Sequence, residues 1–418
     1  MAASIALQTT LGRNVIAKSA EPQIVYLLLE TKAVDVPARA TKLPLNLCLV
    51  LDRSSSMRGP RLYQVKEAAQ KIVEQLSGQD SLSLISFNDR ATVVIQAQRV
   101  TNKAEMKAEI QTIEAAGGTE MATGLEIGLQ ELQRTMVGQG VSRMLLLTDG
   151  QTYGDEERCL QLTRRAQERG IGLTIFGLGE EWNEDLLQQL ANQENSSTRY
   201  ITSVESIAQV FGQELKRMTS IFAKGVLVAL KFQGASKLRS LDRVQPFIAP
   251  LSGKQDRSGQ FLARLGDWSS DEPQTFLIEV EVPPLALGEQ PLFNLELRYD
   301  LPGLNMRDQN SSTPVTIKVQ EDANSQTLDS TVKQWLERLV AYRQQSRAWQ
   351  DIQAGRVKEG TSRLQVASQR MADVGEHDLA QMMQKEALQL EQTGNTSAGA
   401  RKRIKYGTRG LVANKPAK

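Results

Sequence analysis

The sequence predicts an α/β chain in which a doubly wound, mostly parallel sheet is inserted in a β-sandwich and followed by a small helical region. Between residues 44 and 222, short and nearly continuous apolar runs alternate with longer stretches of helical period. That alternation is the mark of parallel strands buried on both faces under helices. On either side, over 1–43 and 223–322, the period is that of strands, with Pro and Gly between them and no strong helical pattern. From 326 to 394 the helical period returns.

The N-terminal segment carries QIVYLLLETKA after Pro22, a β-rich run between polar residues. LPLNLCLVLD (43–52) is the first buried strand and YQVKEAAQKIVEQL (63–76) the helix after it. SLSLISF (81–87) and ATVVIQA (91–97) read as two strands. A helix over about 102–112 leads to Gly117-Gly118, and MATGLEIGLQELQRTM (121–136) is the next helix. SRMLLLTDG (142–150) and IGLTIFGLG (171–179) are strands on either side of the helix EERCLQLTRRAQERG (156–170). A helix at 183–192, a short strand at Arg199-Tyr200 and a closing helix at 204–222 complete the segment.

KGVLVALKF, SGQFLARLGDW, QTFLIEVEV, PLFNLELRY and TPVTIKV are the strands of the flanking sandwich, which also takes strands from 1–43. In 326–394, Trp335, Leu336, Leu339, Val340 and Tyr342 recur at helical spacing, and Gly355 and Gly375 divide the stretch into about three helices. Its tryptophans are hard to bury in so short a segment alone, which favours packing on the sandwich. Residues 395–418 are polar, Gly-rich and basic, and predict a flexible tail. Its cations, Arg401, Lys402, Arg403, Lys405, Arg409, Lys415 and Lys418, have no acid among them. The tail is either a solvated end or a regulatory peptide centred on a phosphorylatable Thr408.

Composition narrows the function. The chain has 418 residues, of which 40% are hydrophobic and 23% charged, which excludes a disordered or fibrous protein. Fifty basic against 48 acidic residues leave a net charge of +2, which excludes nucleic-acid binding by the whole surface. With His377 the only histidine, His-rich zinc sites are excluded. The 2 cysteines, Cys48 and Cys159, make no disulfide framework and read as buried small apolar residues of a reducing compartment. The start of the chain has no secretory pattern, and the run IVYLLL is far short of the ~20 residues that span a bilayer. The expectation is a cytoplasmic protein with no transmembrane segment.

The chemistry is concentrated at strand ends. The first buried strand finishes in Asp52-Arg53-Ser54-Ser55-Ser56, a D-x-S-x-S pattern delivered to the edge where parallel sheets bind ligands. Gly117-Gly118-Thr119 puts a hydroxyl at a helix entry, and Thr148-Asp149-Gly150 puts a carboxylate at another strand end. Turn and cap positions favour the same residue types, so their convergence is what distinguishes a site. Oxygen-only donors suit a hard cation such as Mg²⁺ (or Mn²⁺ or Ca²⁺). Carboxylates from Asp52 and Asp149 with three hydroxyls leave such a cation short of negative charge, so it attracts an acidic group from outside.

On these motifs the segment 44–222 resembles a von Willebrand factor A domain with a complete metal-ion-dependent adhesion site. The resemblance implies Asp52, Ser54, Ser56, Thr119 and Asp149 as the metal residues, with Glu120 standing where many relatives have Asp. It implies a protein–protein interaction module that binds a partner's Asp or Glu through the metal, and no enzyme. The flanking sandwich, helical C-terminus and Y-G-T-R-like tail resemble bacterial, and among them cyanobacterial, members of the family. Such relatives suggest an AAA+ ATPase, a Ser/Thr kinase or a forkhead-associated phosphothreonine reader as partner. A metal-dependent hydrolase is the competing class. Against it, no P-loop is present, GLGEEW (177–182) lacks the full dinucleotide pattern, and no base flanks the motif. Arg53 and Arg58 there are either solvated or steer an acidic ligand.

Overall fold

The computed structural model describes residues 3–41, 43–136, 140–152, 154–191, 195–322 and 327–412. The chain divides into two compact units. One comprises Met1–Pro37, Ala223–Leu301 and Met306–Gly410; the other comprises Ala38–Phe222, Pro302–Asn305 and Leu411–Lys418. The first unit opens with strands β1 (Ser4–Leu11), β2 (Val15–Ala17) and β3 (Gln23–Val34).

The second unit follows as β4 (Leu45–Asp52), α1 (Pro60–Gln75), β5 (Ser81–Phe87), β6 (Ala91–Arg99), α2 (Lys103–Gln111), α3 (Met121–Arg134), β7 (Val141–Thr148), α4 (Glu156–Glu168), β8 (Gly172–Leu178), α5 (Glu184–Leu190), β9 (Ser197–Ile201) and α6 (Ile207–Thr219). The sheet order is β6-β5-β4-β7-β8-β9. Its pairs are parallel except β5 with β6. Every residue of the central strands β4 and β7 is buried, as expected where both faces carry helices. Helix α1 starts at Gly59-Pro60, and its buried residues Leu62, Val65, Ala68, Ala69, Ile72 and Val73 form one stripe at helical spacing. Helix α3 lies close on the sheet. A Cβ added at Gly124 would sit 2.9 Å from Phe87, and one at Gly128 2.9 Å from Val50.

The first unit resumes with β10 (Ile221–Phe232), β11 (Lys237–Gln245), β12 (Ala249–Pro250), β13 (Lys254–Gln255), β14 (Phe261–Ser269), β15 (Gln274–Val282), β16 (Gly288–Leu301) and β17 (Met306–Gln320). Two sheets, β1-β3-β15-β11-β12 and β13-β14-β10-β16-β17-β2, form the sandwich. The N-terminal strands close it: β3 pairs antiparallel with β15, Leu28 opposite Leu277. The fold class read from the sequence is thus the one observed, an α/β segment inserted in chain order between the strands of a sandwich.

Helices α7 (Ser330–Gln353), α8 (Val357–Asp373), α9 (His377–Thr393) and α10 (Ala398–Arg409) follow. Val332 and Leu339 of α7 join a core with Leu28, Val244, Ile248 and Leu277, so α7 packs on the β3–β15–β11 face. Arg343 of α7 adds a pair to Asp242 at 2.7 Å. Among the described residues no helix is long and apolar enough to cross a membrane.

The C-terminal tail is a correction. The segment expected to be flexible holds α10, with Ser397 as N-cap accepting from the Ala400 amide at 3.3 Å and Gly410 as left-handed C-cap. Ile404 and Tyr406 are buried, and Lys402 and Arg409 are buried with them, the Arg409 Nε donating to the Ile248 carbonyl at 3.0 Å. Long basic side chains can bury their aliphatic stems, and Arg409 gives its guanidinium a carbonyl partner, which a count of charges does not register. Thr408 is corrected with it: it is 4% exposed and its hydroxyl donates to the carbonyl of Ile404, so it is no exposed acceptor for a kinase. Lys415 and Lys418 lie outside the described residues.

Candidate metal centre

The candidate residues belong to three loops at the carboxyl end of β4, the entry of α3 and the end of β7. Asp52 is the last residue of β4 and is fully buried. Its Oδ1 accepts the Ser54 amide at 2.8 Å and its Oδ2 the Thr148 hydroxyl at 2.6 Å. The first bond is the Asx turn that starts the D-x-S-x-S loop. Burial pushes the Asp52 carboxyl above its ordinary range, the two hydrogen-bond donors oppose the rise, and the neighbouring Asp149 adds to it.

The serines continue the chain. Ser54 Oγ and Ser56 Oγ are 3.0 Å apart, and Ser56 Oγ donates to Asp149 Oδ1 at 2.6 Å. A hydroxyl has one proton, so Ser54 donates to Ser56. Ser54 and Asp149 are nearly sealed, whereas Ser56 is exposed and Thr119 partly so. The oxygens therefore form a cup with the two acids and Ser54 buried at the bottom and Ser56 and Thr119 at the rim. Gly150 leaves it open: a Cβ there would lie 3.5 Å from Thr119 Oγ1 and 3.9 Å from Ser56 Oγ. All donors are oxygen, hard and close together, which fits a small divalent cation.

The Thr119 loop is held from both sides. Asn88 donates to the Ala116 carbonyl at 2.7 Å and accepts the Glu120 amide on its own carbonyl at 2.8 Å. Asp89 Oδ2 accepts the Gly118 amide at 2.9 Å. Gly117 has φ +77, and a Cβ there would come within 2.4 Å of Asp89, so only glycine fits. Glu120, the residue before α3, makes no side-chain cap. Asp155 caps the helix instead, its Oδ2 accepting the Ala122 amide at 2.6 Å, and Thr152 Oγ1 accepts the Met121 amide at 3.1 Å.

The structure thus brings Asp52, Ser54, Ser56 and Asp149 into one hydrogen-bonded chain and sets Thr119 beside it across Gly150. It also supplies residues that the motif reading missed. Thr148 orients Asp52, and Arg61 forms an ion pair with Asp149. A signal for Arg61 existed: it lies in the first turn of α1, which has no acid, where the helix dipole disfavours a cation. Arg53 donates to the Glu114 carbonyl and Arg58 is exposed. His377 is in the other unit, at the start of α9.

Comparison with known proteins identifies the domains that carry these elements. Residues 46–214 match the von Willebrand factor type A domain family, and residues 330–414 match the family described as Sll0103-like, C-terminal alpha-helical domain. The chain is 32% identical over 369 residues to the uncharacterised protein sll0103 of Synechocystis, covering 87% of each chain. It is 31% identical to human inter-alpha-trypsin inhibitor heavy chain H4 over 179 residues, which is 40% of this chain and 19% of that one. Among solved structures, a von Willebrand factor type A protein from Catenulispora acidiphila superposes with TM-score 0.79 at 17% identity, over 97% of both chains.

Proposed function

We propose, for a chain that belongs to the sll0103-like family of proteins built on a von Willebrand factor type A domain, that it binds a protein partner through a divalent cation. Domains of this type are known for metal-dependent protein–protein interaction. Asp52, Ser54, Ser56, Thr119 and Asp149 hold the ion, Mg²⁺ with Mn²⁺ or Ca²⁺ as alternatives. The observation that carries the reading is the continuous chain from Ser54 through Ser56 to Asp149 beneath a rim left free by Gly150.

The roles follow from the contacts. Ser54 offers a neutral oxygen inside the cup and Ser56 one at the rim, Thr119 faces them from the α3 loop, and Asp149 supplies charge. Asp52 anchors the loop through the Ser54 amide and is itself held by Thr148. Bound there, a divalent cation supplies a Lewis-acidic centre with too few carboxylates to neutralise it, which favours an Asp or Glu from the partner. The exposed Ser56 and the neighbouring Arg58 place this demand at the surface.

Capture of partners by the intact protein from its own cells, with Mg²⁺ and with EDTA, read by mass spectrometry, tests the reading. Partners retained with Mg²⁺ and lost with EDTA and in Asp149→Ala support it. A partner set indifferent to both overturns it. An ATPase or a kinase among the retained proteins identifies the set in which the module acts.

A further inference from the structure

Arg61 occupies a particular place at the site. It follows the loop that carries Ser54 and Ser56, and its guanidinium makes an ion pair with Asp149 Oδ2 while donating to the Ser56 carbonyl at 3.3 Å. The Asp149 side chain is fully buried, whereas that of Arg61 is 35% exposed, so the guanidinium lies on the solvent side of the carboxylate. Gly179, after β8, is a neighbour of the guanidinium: a Cβ there would lie 3.6 Å from Arg61 Nη2, an ordinary contact. With Ser56 on Oδ1 and Arg61 on Oδ2, both oxygens of Asp149 are engaged within the chain.

We propose that Arg61 is a tethered cation that competes with the divalent ion for Asp149, and that it turns to the partner's carboxylate when the ion takes its place. The inference rests on the reading of the site as a metal centre. A guanidinium cannot be discharged near neutral pH, so its competition is constant and must be overcome by binding. Repulsion between its charge and that of the ion weakens metal binding in the absence of an acidic ligand. Once a carboxylate arrives, the fork of N–H donors gains a new acceptor and the penalty is relieved. Metal and acidic ligand then bind together better than either alone, a coupling that works equally in both directions.

The test uses the full chain and Mn²⁺ alone, titrated by calorimetry and by the paramagnetic relaxation of water. Arg61→Gln keeps a polar, though shorter, side chain and removes its charge; Lys71→Gln removes a charge from the exposed side of α1 as a control. Arg61→Gln is expected to bind Mn²⁺ roughly tenfold more tightly than the wild type, with Lys71→Gln unchanged. Replacing chloride by acetate at equal ionic strength is expected to tighten Mn²⁺ on the wild type and to have less effect on Arg61→Gln. Equal or weaker Mn²⁺ binding by Arg61→Gln, with the wild type binding normally, overturns the inference and leaves the metal centre standing. Failure of the folded wild type and of Arg61→Gln to bind Mn²⁺ at all overturns the metal centre, and the inference with it.

Discussion

The carboxylate of Asp155 caps a helix to which it is not adjacent in sequence, its Oδ2 accepting the amide of Ala122 in the first turn of α3 at 2.6 Å. An acid at this end satisfies an orphan amide and complements the helix dipole. It also fixes the entry of α3 immediately after Thr119. Asp155→Ala is expected to lower stability by about 1–2 kcal/mol, measured by urea denaturation, and to weaken metal binding although Asp155 is no ligand. A variant with unchanged stability and metal affinity would show that the cap is dispensable.

Glu214 gives a pH dependence. Burial would push this carboxyl up, but Arg217, which it binds bidentately with Nε at 3.1 Å to both oxygens, and the nearby Arg199 and Thr174 hydroxyl bring it down to about 2. A folded value below the unfolded one means stability that is present above the ordinary carboxylate range and is lost as the pH falls toward about 2. Glu214→Gln is therefore expected to cost about 3 kcal/mol at pH 7, with the difference from wild type shrinking as the pH is lowered through 4. A constant difference across that range contradicts the assignment.

Leu411 closes an edge of the α/β sheet. Its carbonyl accepts the Tyr200 amide at 3.1 Å, and Val412 makes a parallel bridge to Tyr200 on the edge strand β9. Tyr200 in turn meets Trp182 edge to face at 5.5 Å. Leu411 is 1% exposed, so Leu411→Asp places a charge in a dry position and is expected to release the segment. Hydrogen exchange at the Tyr200 amide should rise at least tenfold, while the β4 amides stay protected. Unchanged exchange would mean that the segment contributes nothing to the edge.

How far the sequence alone reaches is decided by where the signal sits. Six of the eight residues of β4 are apolar, and the strand ends in the acid that opens the serine loop, so strand and candidate residues are legible together. Strand β11, KLRSLDRVQ, gives no clean strand period, because its charges are paired across the fold: Arg239 with Glu281 and Asp242 with Arg343. Two shifts of register against β15 interrupt the alternation further. In α10 the buried Ile404 and Tyr406 are separated by a lysine and surrounded by cations, and the partners that bury the helix are far away in sequence. For Arg61 the sequence shows only a cation in the acid-free first turn of α1; its counter-ion, Asp149, is brought to it by the pairing of β4 with β7.

The central claim is that the hydroxyls and acids at the ends of β4 and β7 and the entry of α3 hold a divalent cation. Calorimetric titration of Mg²⁺ into the wild type, Asp52→Ala and the double variant Ser54→Ala/Ser56→Ala tests it most directly, with thermal unfolding run alongside to establish that each protein is folded. The account predicts one ion per wild-type chain and no measurable binding in either variant. Wild-type affinity retained by the folded Asp52→Ala or double-serine protein would contradict it.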